Sequence, residues 1–528
     1  MQSIPSKLIA FTFFSALAVF AIYTYLTLVL PMPRAGTEIY DLFNAARNLS
    51  SDFSWANAYL FDQRVSPPGV PQIYQHAPNN LRLVSLVLIK LGLDTVSMNS
   101  LVLVLAQVGI LSLILFYLFR SIEGAFALVL IMAMFVADQY FLTKIINPLR
   151  LTQYLLFFFT MYLCCARSHT KGLLVFVFFF IVWQTELVFA AFISSSFVLF
   201  HLFAKWRRVR LFVVSIIPCV GGFLISIGIF CFQLFLFRSF SFISDWIGVT
   251  AERNTVLYTW FLQKENPYSF RDLVAMYGPD SLPLDYRVPQ SILEFIQHLL
   301  AMICGRFDAG FWVLPTVTVF SSIFVFVKYR DLSQTLRNLY AYIISSVFGL
   351  LIVSSIFRGY VSYLYLKLHE PLIDMVLYSL LTLNFCALSE LSGSKKYVSR
   401  ILGILILVPS IFVSSSNRWE STIRPAAPLS RELLSELARP DFRGAHVFAN
   451  FNDNYAIPGL IHTHILKLDS RRLSEEAMWP EMVDYYICSK YVAKDDCRSF
   501  SSQKFGEHFD VMFEDNSGVI YGLKHEYR

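Results

Sequence analysis

The chain reads as a polytopic α-helical membrane protein with a small C-terminal α/β domain, and three observations carry that reading. Hydrophobic residues make up 56% of the sequence, aromatic residues 16% and charged residues only 15%, a balance outside the range of soluble domains. Runs of about 20 apolar residues, the length a helix needs to cross a bilayer, recur from residue 8 to residue 416. Beyond that point polar and apolar residues mix, which divides the chain into a membrane domain, residues 1–416, and a tail, 417–528.

The first span, Leu8 to Leu30, follows a short basic N-terminus. It is too long for a signal-peptide core and lacks a small-residue cleavage site, so it is expected to stay as an anchor. Further spans are expected at 98–119, 123–141, 151–166, 171–186, 187–204, 210–236, 308–327, 338–357, 370–390 and 397–415, about eleven in all. Residues 172–204 form one apolar run, too long for one span and short for two, interrupted only by Gln184-Thr185-Glu186. A tight hairpin with Glu186 at its tip is preferred over a single tilted helix, because the single helix would put the basic cluster Lys205 to Arg210 on the wrong side. Residues 81–93 are apolar but short, suited either to the interface or to extending the next span.

Orientation follows from Lys and Arg, which collect on the cytoplasmic side. With the N-terminus inside, the clusters 205–210, 328–337 and 395–400 all fall inside, while 31–97, 238–307, 358–369 and the tail fall outside. The protein is therefore expected in a bacterial inner membrane with its tail periplasmic. The net charge of +6 is accounted for by the cytoplasmic loops and implies no nucleic-acid partner.

Six of the eight cysteines lie in or beside spans, where a thiol is a small hydrophobe. Cys488 and Cys497 can pair if the tail sits in an oxidising compartment, or stay free. In the tail, Ser430 caps an expected helix that stops before Pro440, Ala445 to Asn450 and Asp484 to Cys488 read as strands, and Asp515-Asn-Ser-Gly518 reads as the turn of a hairpin. His462 and His464 share one strand face, but a metal site needs a third ligand. No Gly-rich nucleotide fingerprint follows any of these strands. The tail is expected to serve as a structural or substrate-binding lid.

The candidate chemistry lies outside the membrane. Glu38 and Asp41 stand three apart at the start of an apparent amphipathic helix, Tyr40 to Leu49, and can face the same way. Acids at a helix N-terminus ordinarily stabilise its dipole and do nothing more. Here they adjoin a loop with Arg47, Arg64 and His76, where a lipid head group would sit, and Asp138 and Glu186 fall at the same outer level. Acids gathered at the interface tend to line cavities. After the ninth span, Arg358, Lys367 and His369 lie on the outer side among tyrosines; they either snorkel to the interface or bind a lipid phosphate. Trp246, Tyr258, Trp260, Tyr268 and Tyr277 in the long loop either stack on sugars or rest on the interface.

Gly36-Thr-Glu38 with Tyr40 and Asn44-Ala-Ala, followed by Tyr74-Gln-His-Ala-Pro78 before the next apolar stretch, resembles the first external loop of GT-C glycosyltransferases, polytopic enzymes that use polyprenyl-phosphate sugars. The pattern is most similar to the polyprenyl-phosphate-mannose type, and the span number, the long later loop, Lys367-Leu-His-Glu-Pro and the external tail are similar too. The resemblance implies that Glu38 takes the place of the catalytic acid, more often Asp, and that Asp138 matches the acid of the second external loop. Gln184-Thr-Glu stands where many relatives carry a basic residue before the acid.

The expected reaction is a single inverting displacement. A carboxylate, Glu38 first and Asp138 second, with Asp41 beside them, takes the proton of the acceptor hydroxyl as it attacks the anomeric carbon of a lipid-linked sugar. His76, Arg64 and Glu186 are expected to bind substrate, and Arg358, Lys367 and His369 to stabilise the departing lipid phosphate. A divalent cation, Mg²⁺ or Mn²⁺, is an open requirement. The expected partners are the polyprenyl-phosphate-linked donor, a lipid, glycan or protein acceptor, and the bilayer. Two other classes fit the span count. An O-antigen polymerase or ligase would use loop arginines such as Arg253, Arg271 and Arg287, leaving the acidic first loop unexplained. A transporter should show internal repeats and broken mid-span helices, and neither is convincing here.

Overall fold

The computed structural model describes residues 6–24, 43, 46, 60–66, 70–73, 81–120, 126–137, 148–165, 172–205, 208–236, 313–356, 370–392, 401, 405, 430–437, 439, 442, 446–449, 464–465, 484–490, 497, 506–524 and 526. Its helices in the membrane domain are α1 (Ser6–Thr24), α2 (Leu81–Lys90), α3 (Val96–Phe119), α4 (Phe126–Ala137), α5 (Pro148–Cys165), α6 (Gly172–Trp183), α7 (Leu187–Lys205), α8 (Val209–Leu236), α9 (Val313–Val327), α10 (Gln334–Ile356) and α11 (Glu370–Leu391). All but α2 coincide with an expected span. The eleventh, 397–415, lies outside the described residues apart from Ile401 and Leu405, which are helical. Among the described residues, four stretches are long and apolar enough to cross a membrane by length and composition: Met98–Phe119, Leu187–Ala204, Val209–Phe232 and Gln334–Ser354.

Several boundaries move for local reasons. α5 begins at Pro148, because proline's fixed φ and missing N–H suit the first helical position. Residues 81–93 do not extend the next span: α2 stops at Lys90, Gly92 adopts φ +90°, which only glycine tolerates readily, and Thr95 caps α3 by accepting from the Met98 amide. Asn99 ties the corner, donating to the Leu93 and Ser85 carbonyls and accepting from the Ser85 hydroxyl. On α2, Leu83, Val84 and Val87 are exposed, whereas Arg82, Ser85 and Leu86 are buried, the two-sided pattern of a helix lying in the interface.

Residues 172–204 form two helices. Phe179 of α6 and Phe197 of α7 bring their ring centroids to 4.8 Å, although a straight helix would hold residues that far apart in sequence about 27 Å from each other. The legs therefore fold back at Gln184-Thr185-Glu186, the hairpin the polar triplet predicts.

Between membrane helices lipid is as apolar as leucine, so association depends on packing and hydrogen bonds rather than on removal of apolar surface from water. Both devices are visible. α5 lies at the centre, and its aromatic rings touch four neighbours: Phe158 meets Phe119 of α3, Tyr154 meets Phe135 of α4, and Phe157 meets Phe192 of α7 and Tyr342 of α10. Phenylalanine supplies five of these seven rings. Small residues let other helices approach more closely. A Cβ on Gly222 of α8 would lie 2.7 Å from both the Phe176 carbonyl oxygen and the Phe180 nitrogen of α6, and one on Gly349 of α10 would lie 2.8 Å from the Ser196 hydroxyl of α7. Asn384 of α11 joins three helices, accepting from Tyr340 and donating to Ser321 and Ser322. At the same end of α10, the Glu390 carboxylate accepts from the Ser333 amide at 2.7 Å, where a negative charge complements the helix dipole.

The tail contains α12 (Arg431–Leu437) and a mixed sheet of β3 (His446–Ala449), β4 (His464–Ile465), β5 (Tyr485–Ser489), β6 (Phe509–Glu514) and β7 (Gly518–Leu523), ordered β4-β3-β5-β7-β6. β3 runs parallel to β4 and β5, and β7 runs antiparallel to β5 and β6. The expected cap, strands and hairpin are all present: Ser430 Oγ accepts from the Leu433 amide at 3.0 Å. The side chain of Asp515 holds the turn by accepting from the Ser517 and Gly518 amides. Cys488 and Cys497 are joined by a disulfide, and the Tyr521 hydroxyl donates to the Cys497 carbonyl.

A second, two-stranded sheet falls in the first external loop: β1 (Leu60–Ser66) pairs antiparallel with β2 (Val70–Ile73). The helical and loop expectations for 31–97 did not include it. Pro67-Pro68-Gly69 is turn chemistry between two β-capable runs, and it was the available signal. β1 also lies against β4 of the tail, so the first loop and the tail sheet are neighbours.

Candidate active site

Of the residues singled out from the sequence, Glu38, Asp41, His76, Asp138, Arg358, Lys367 and His369 lie outside the described residues. Arg64 falls within β1. His462 lies outside as well, while His464 sits on β4 in register with His446 of β3. Among the described residues no group of three or more His, Cys, Asp or Glu stands together to hold a metal ion.

Of the expected helix 40–49, Phe43 and Ala46 are the described residues. Both are helical and buried. Phe43 belongs to the main core of the bundle, and Ala46 packs with Leu86 and Ile89 of α2.

Glu186 is the one sequence-derived acid whose surroundings are described. It lies half-buried in the bend between α6 and α7, where its Oε2 accepts from Gln153 Nε2 at 3.4 Å. Gln153 belongs to the first turns of α5, the helix that follows the loop bearing Asp138. The bend is held from the other side as well: buried Gln184 donates Nε2 to the Ser226 hydroxyl of α8 at 2.6 Å and to its carbonyl at 3.2 Å. Trp183 packs against Phe223 of α8 at a tilt, with centroids 4.5 Å apart.

Sequence reasoning missed three members of this region. Arg150 and Gln153, one turn apart on α5, are 8% and 5% exposed, and Gln107 of α3 is 6% exposed. Gln107 Nε2 donates to the Thr152 hydroxyl at 2.8 Å, and that hydroxyl donates to the Pro148 carbonyl at 2.8 Å. Polar side chains in membrane helices are costly and mark cavities or pathways. The available signal was Arg150, Thr152 and Gln153 crowded into the first six residues of a span.

No family model matches the chain, and no curated protein matches it by sequence. Solved structures do. An oligosaccharyltransferase from Archaeoglobus fulgidus, in complex with Zn and sulfate, aligns over 97% of this chain and 73% of its own at 11% identity, with a TM-score of 0.50. ArnT from Cupriavidus metallidurans bound to undecaprenyl phosphate aligns over 96% of this chain and 98% of its own at 12% identity and a TM-score of 0.48. The archaeal oligosaccharyltransferase AglB from Archaeoglobus fulgidus, in complex with an inhibitory peptide and a dolichol-phosphate, aligns over 98% and 74% at 10% identity and a TM-score of 0.47. At such identities the likeness is one of fold: the chain shares the polytopic helical fold of the Archaeoglobus fulgidus oligosaccharyltransferase.

Proposed function

We propose that this protein is a membrane glycosyltransferase that moves a sugar from a polyprenyl-phosphate donor to a lipid, glycan or protein acceptor on the extracytoplasmic side. The observation that carries the reading is the meeting of Gln153 with Glu186: the head of α5, which ends the loop bearing Asp138, converges with the acidic bend between α6 and α7. That convergence, in a chain with this fold and an acid-bearing first loop, is what an extracytoplasmic donor cavity requires. The neighbours that were solved with undecaprenyl phosphate and dolichol-phosphate agree with a polyprenyl-phosphate partner.

In this reading Glu38, aided by Asp138 and with Asp41 beside it, accepts the proton of the acceptor hydroxyl. The acceptor oxygen forms its bond to the anomeric carbon as the carbon–oxygen bond to phosphate breaks, and the electron pair leaves on the phosphate oxygen with inversion at carbon. Lipid phosphate leaves as a stable anion, so it calls for charge stabilisation by Arg358, Lys367 and His369 rather than protonation. His76, Arg64 and Glu186 orient the donor. A divalent cation, Mg²⁺ or Mn²⁺, would supply further charge stabilisation at the phosphate.

The expected orientation, N-terminus cytoplasmic and tail periplasmic in the inner membrane, draws support from two features. The Cys488–Cys497 disulfide suits an oxidising compartment, and β4 of the tail lies against β1 of the first loop.

The test is transfer from a panel of polyprenyl-phosphate sugars by the purified protein, with and without EDTA, comparing wild type with Glu38→Gln and Asp138→Asn. Loss of a general base should lower the rate by about 10²–10⁴-fold. Full activity in both variants, or no consumption of any donor by wild type, would overturn the assignment.

A further inference from the structure

The head of α5 carries more buried polarity than closing a helix requires. Pro148 has no amide to satisfy, and the Thr152 hydroxyl already answers the Pro148 carbonyl. Arg150 and Gln153 are nonetheless buried one helical turn apart, and Gln107 reaches across from α3 to donate to Thr152. Its second amide atom, Oε1, is enclosed with no hydrogen-bond partner among the described residues. A buried acceptor left empty is unfavourable, and a ligand hydroxyl that filled it would recover that cost. On the other flank Gln153 holds the half-buried Glu186, whose bend is fastened to α8 through Gln184 and Ser226.

The chemistry of these groups is specific. A carboxylate at this position would repel a phosphate brought against it. A carboxylate and carboxamides together instead offer the acceptors and donors that a ring of hydroxyl groups needs. Arg150 stands one turn from Gln153 and is buried with it at the head of α5.

We propose that this cluster is the sugar-reading wall of the donor site: Glu186, positioned by Gln153, accepts hydrogen bonds from hydroxyls of the donor sugar, and Gln107 Oε1 supplies a second acceptor. This rests on the glycosyltransferase reading above and adds to it the ligand class of the cluster, a neutral polyhydroxyl ring rather than the lipid phosphate. Glu186 touches the sugar, whereas Gln153 is a positioning residue that acts through it.

The experiment measures binding, so that it does not depend on turnover. Full-length protein in nanodiscs is titrated with bare polyprenyl phosphate and with the same lipid carrying mannose, glucose or arabinose, for wild type, Glu186→Gln, Gln153→Met, Gln107→Met and the Glu186→Gln/Gln153→Met pair. Wild type should bind at least one sugar-bearing lipid more tightly than the bare phosphate. Glu186→Gln should erase about tenfold of that margin, the scale of a hydrogen bond to a charged group, and leave the bare phosphate unchanged. Gln153→Met should lose part of the same margin and add nothing to Glu186→Gln. Equal weakening of bare and sugar-bearing lipids, or a wild type indifferent to the sugar, would sink the proposal. If the margin holds while wild type transfers none of the sugars, the recognition site stands and the transferase reading falls.

Discussion

The contact between α6 and α8 gives the sharpest quantitative test of the fold. A methyl group placed on Gly222 would stand 2.7 Å from the Phe176 carbonyl oxygen, 2.7 Å from the Phe180 nitrogen and 3.0 Å from the Phe179 carbonyl carbon. All three are backbone atoms, so no rotamer change can relieve the clash, and the two helices must separate by about half an ångström. Overpacking of this kind costs about 1–3 kcal/mol. The same helix supplies its own control, because a Cβ on Gly228 meets nothing within 4 Å; Gly228→Ala should be neutral or gain up to about 1 kcal/mol of helix propensity. Gly221→Ala should fall between, since its contact at 3.3 Å is with the Phe176 ring, which can turn. The measurement is SDS-driven unfolding of the full chain in mixed micelles, followed by circular dichroism. A Gly222→Ala protein as stable as Gly228→Ala would mean that the helices do not cross at Gly222. Because Gln184 and Ser226 bridge the same pair of helices, Gly222→Ala should also loosen the bend that holds Glu186.

Other tests address the polar ties. Replacing Asn384 with Leu removes hydrogen bonds to Tyr340, Ser321 and Ser322, and as such bonds in membranes average about 0.6 kcal/mol each, the loss should stay below about 2 kcal/mol in the same SDS titration. In the tail, burial pushes the Asp515 carboxyl up, but hydrogen bonds from the Ser430 and Ser517 hydroxyls and the Ser517 and Gly518 amides outweigh it and hold the pKa below its ordinary value. That stabilisation is present above the unfolded carboxylate pKa and lost as pH falls through the folded one. Amide protection factors in β6 and β7 of the full chain should therefore drop on acidification in wild type and much less in Asp515→Asn. The disulfide closes a loop between residues nine apart, which corresponds to roughly 2.6 kcal/mol on the chain-entropy scale. Cys488→Ser/Cys497→Ser should make the tail markedly more protease-sensitive, and unchanged resistance would show that the sheet does not need the crosslink.

The parts of the fold legible in the sequence are those set by local chemistry. Apolar length announced the spans, the Gln184-Thr185-Glu186 interruption announced the bend, and Ser430 and Asp515-Asn-Ser-Gly518 announced a cap and a turn, because each of these depends on residues adjacent in the chain. Gly222 resisted reading because its importance lies in backbone atoms of another helix, 42 to 46 residues earlier. Arg150, Gln153 and Gln107 resisted for the same reason: a polar residue near the end of a span is ordinarily solvated, and only the packing of α3 and the α6–α7 bend around α5 encloses these three. The β1–β2 hairpin is hard to read although Pro67-Pro68-Gly69 offers the turn, because the consecutive Asp62, Gln63 and Arg64 leave β1 without apolar alternation. Of the candidate site, the sequence pointed to Glu186 but not to the glutamine that holds it.

The bend at 184–186 also decides which parts of the molecule can meet. Each crossing reverses the side on which the following loop emerges, so two segments can touch outside the bilayer only if an even number of crossings separates them. Between the first loop and the tail lie nine described helices, α3 to α11, and the expected span at 397–415; if each crosses once, that is ten. Had 172–204 formed one helix, the number would be odd, and the tail would face the opposite side from β1. β4 nevertheless lies against β1, and the ring contact between Phe179 and Phe197 independently requires two legs. The side-by-side packing of α6 and α8 agrees, because Gly172 approaches Pro218 and Gly222 approaches Phe176, so the two helices run in the same direction with α7 returning between them. Local packing inside the bundle and strand contact far from it thus agree on two legs at 172–204.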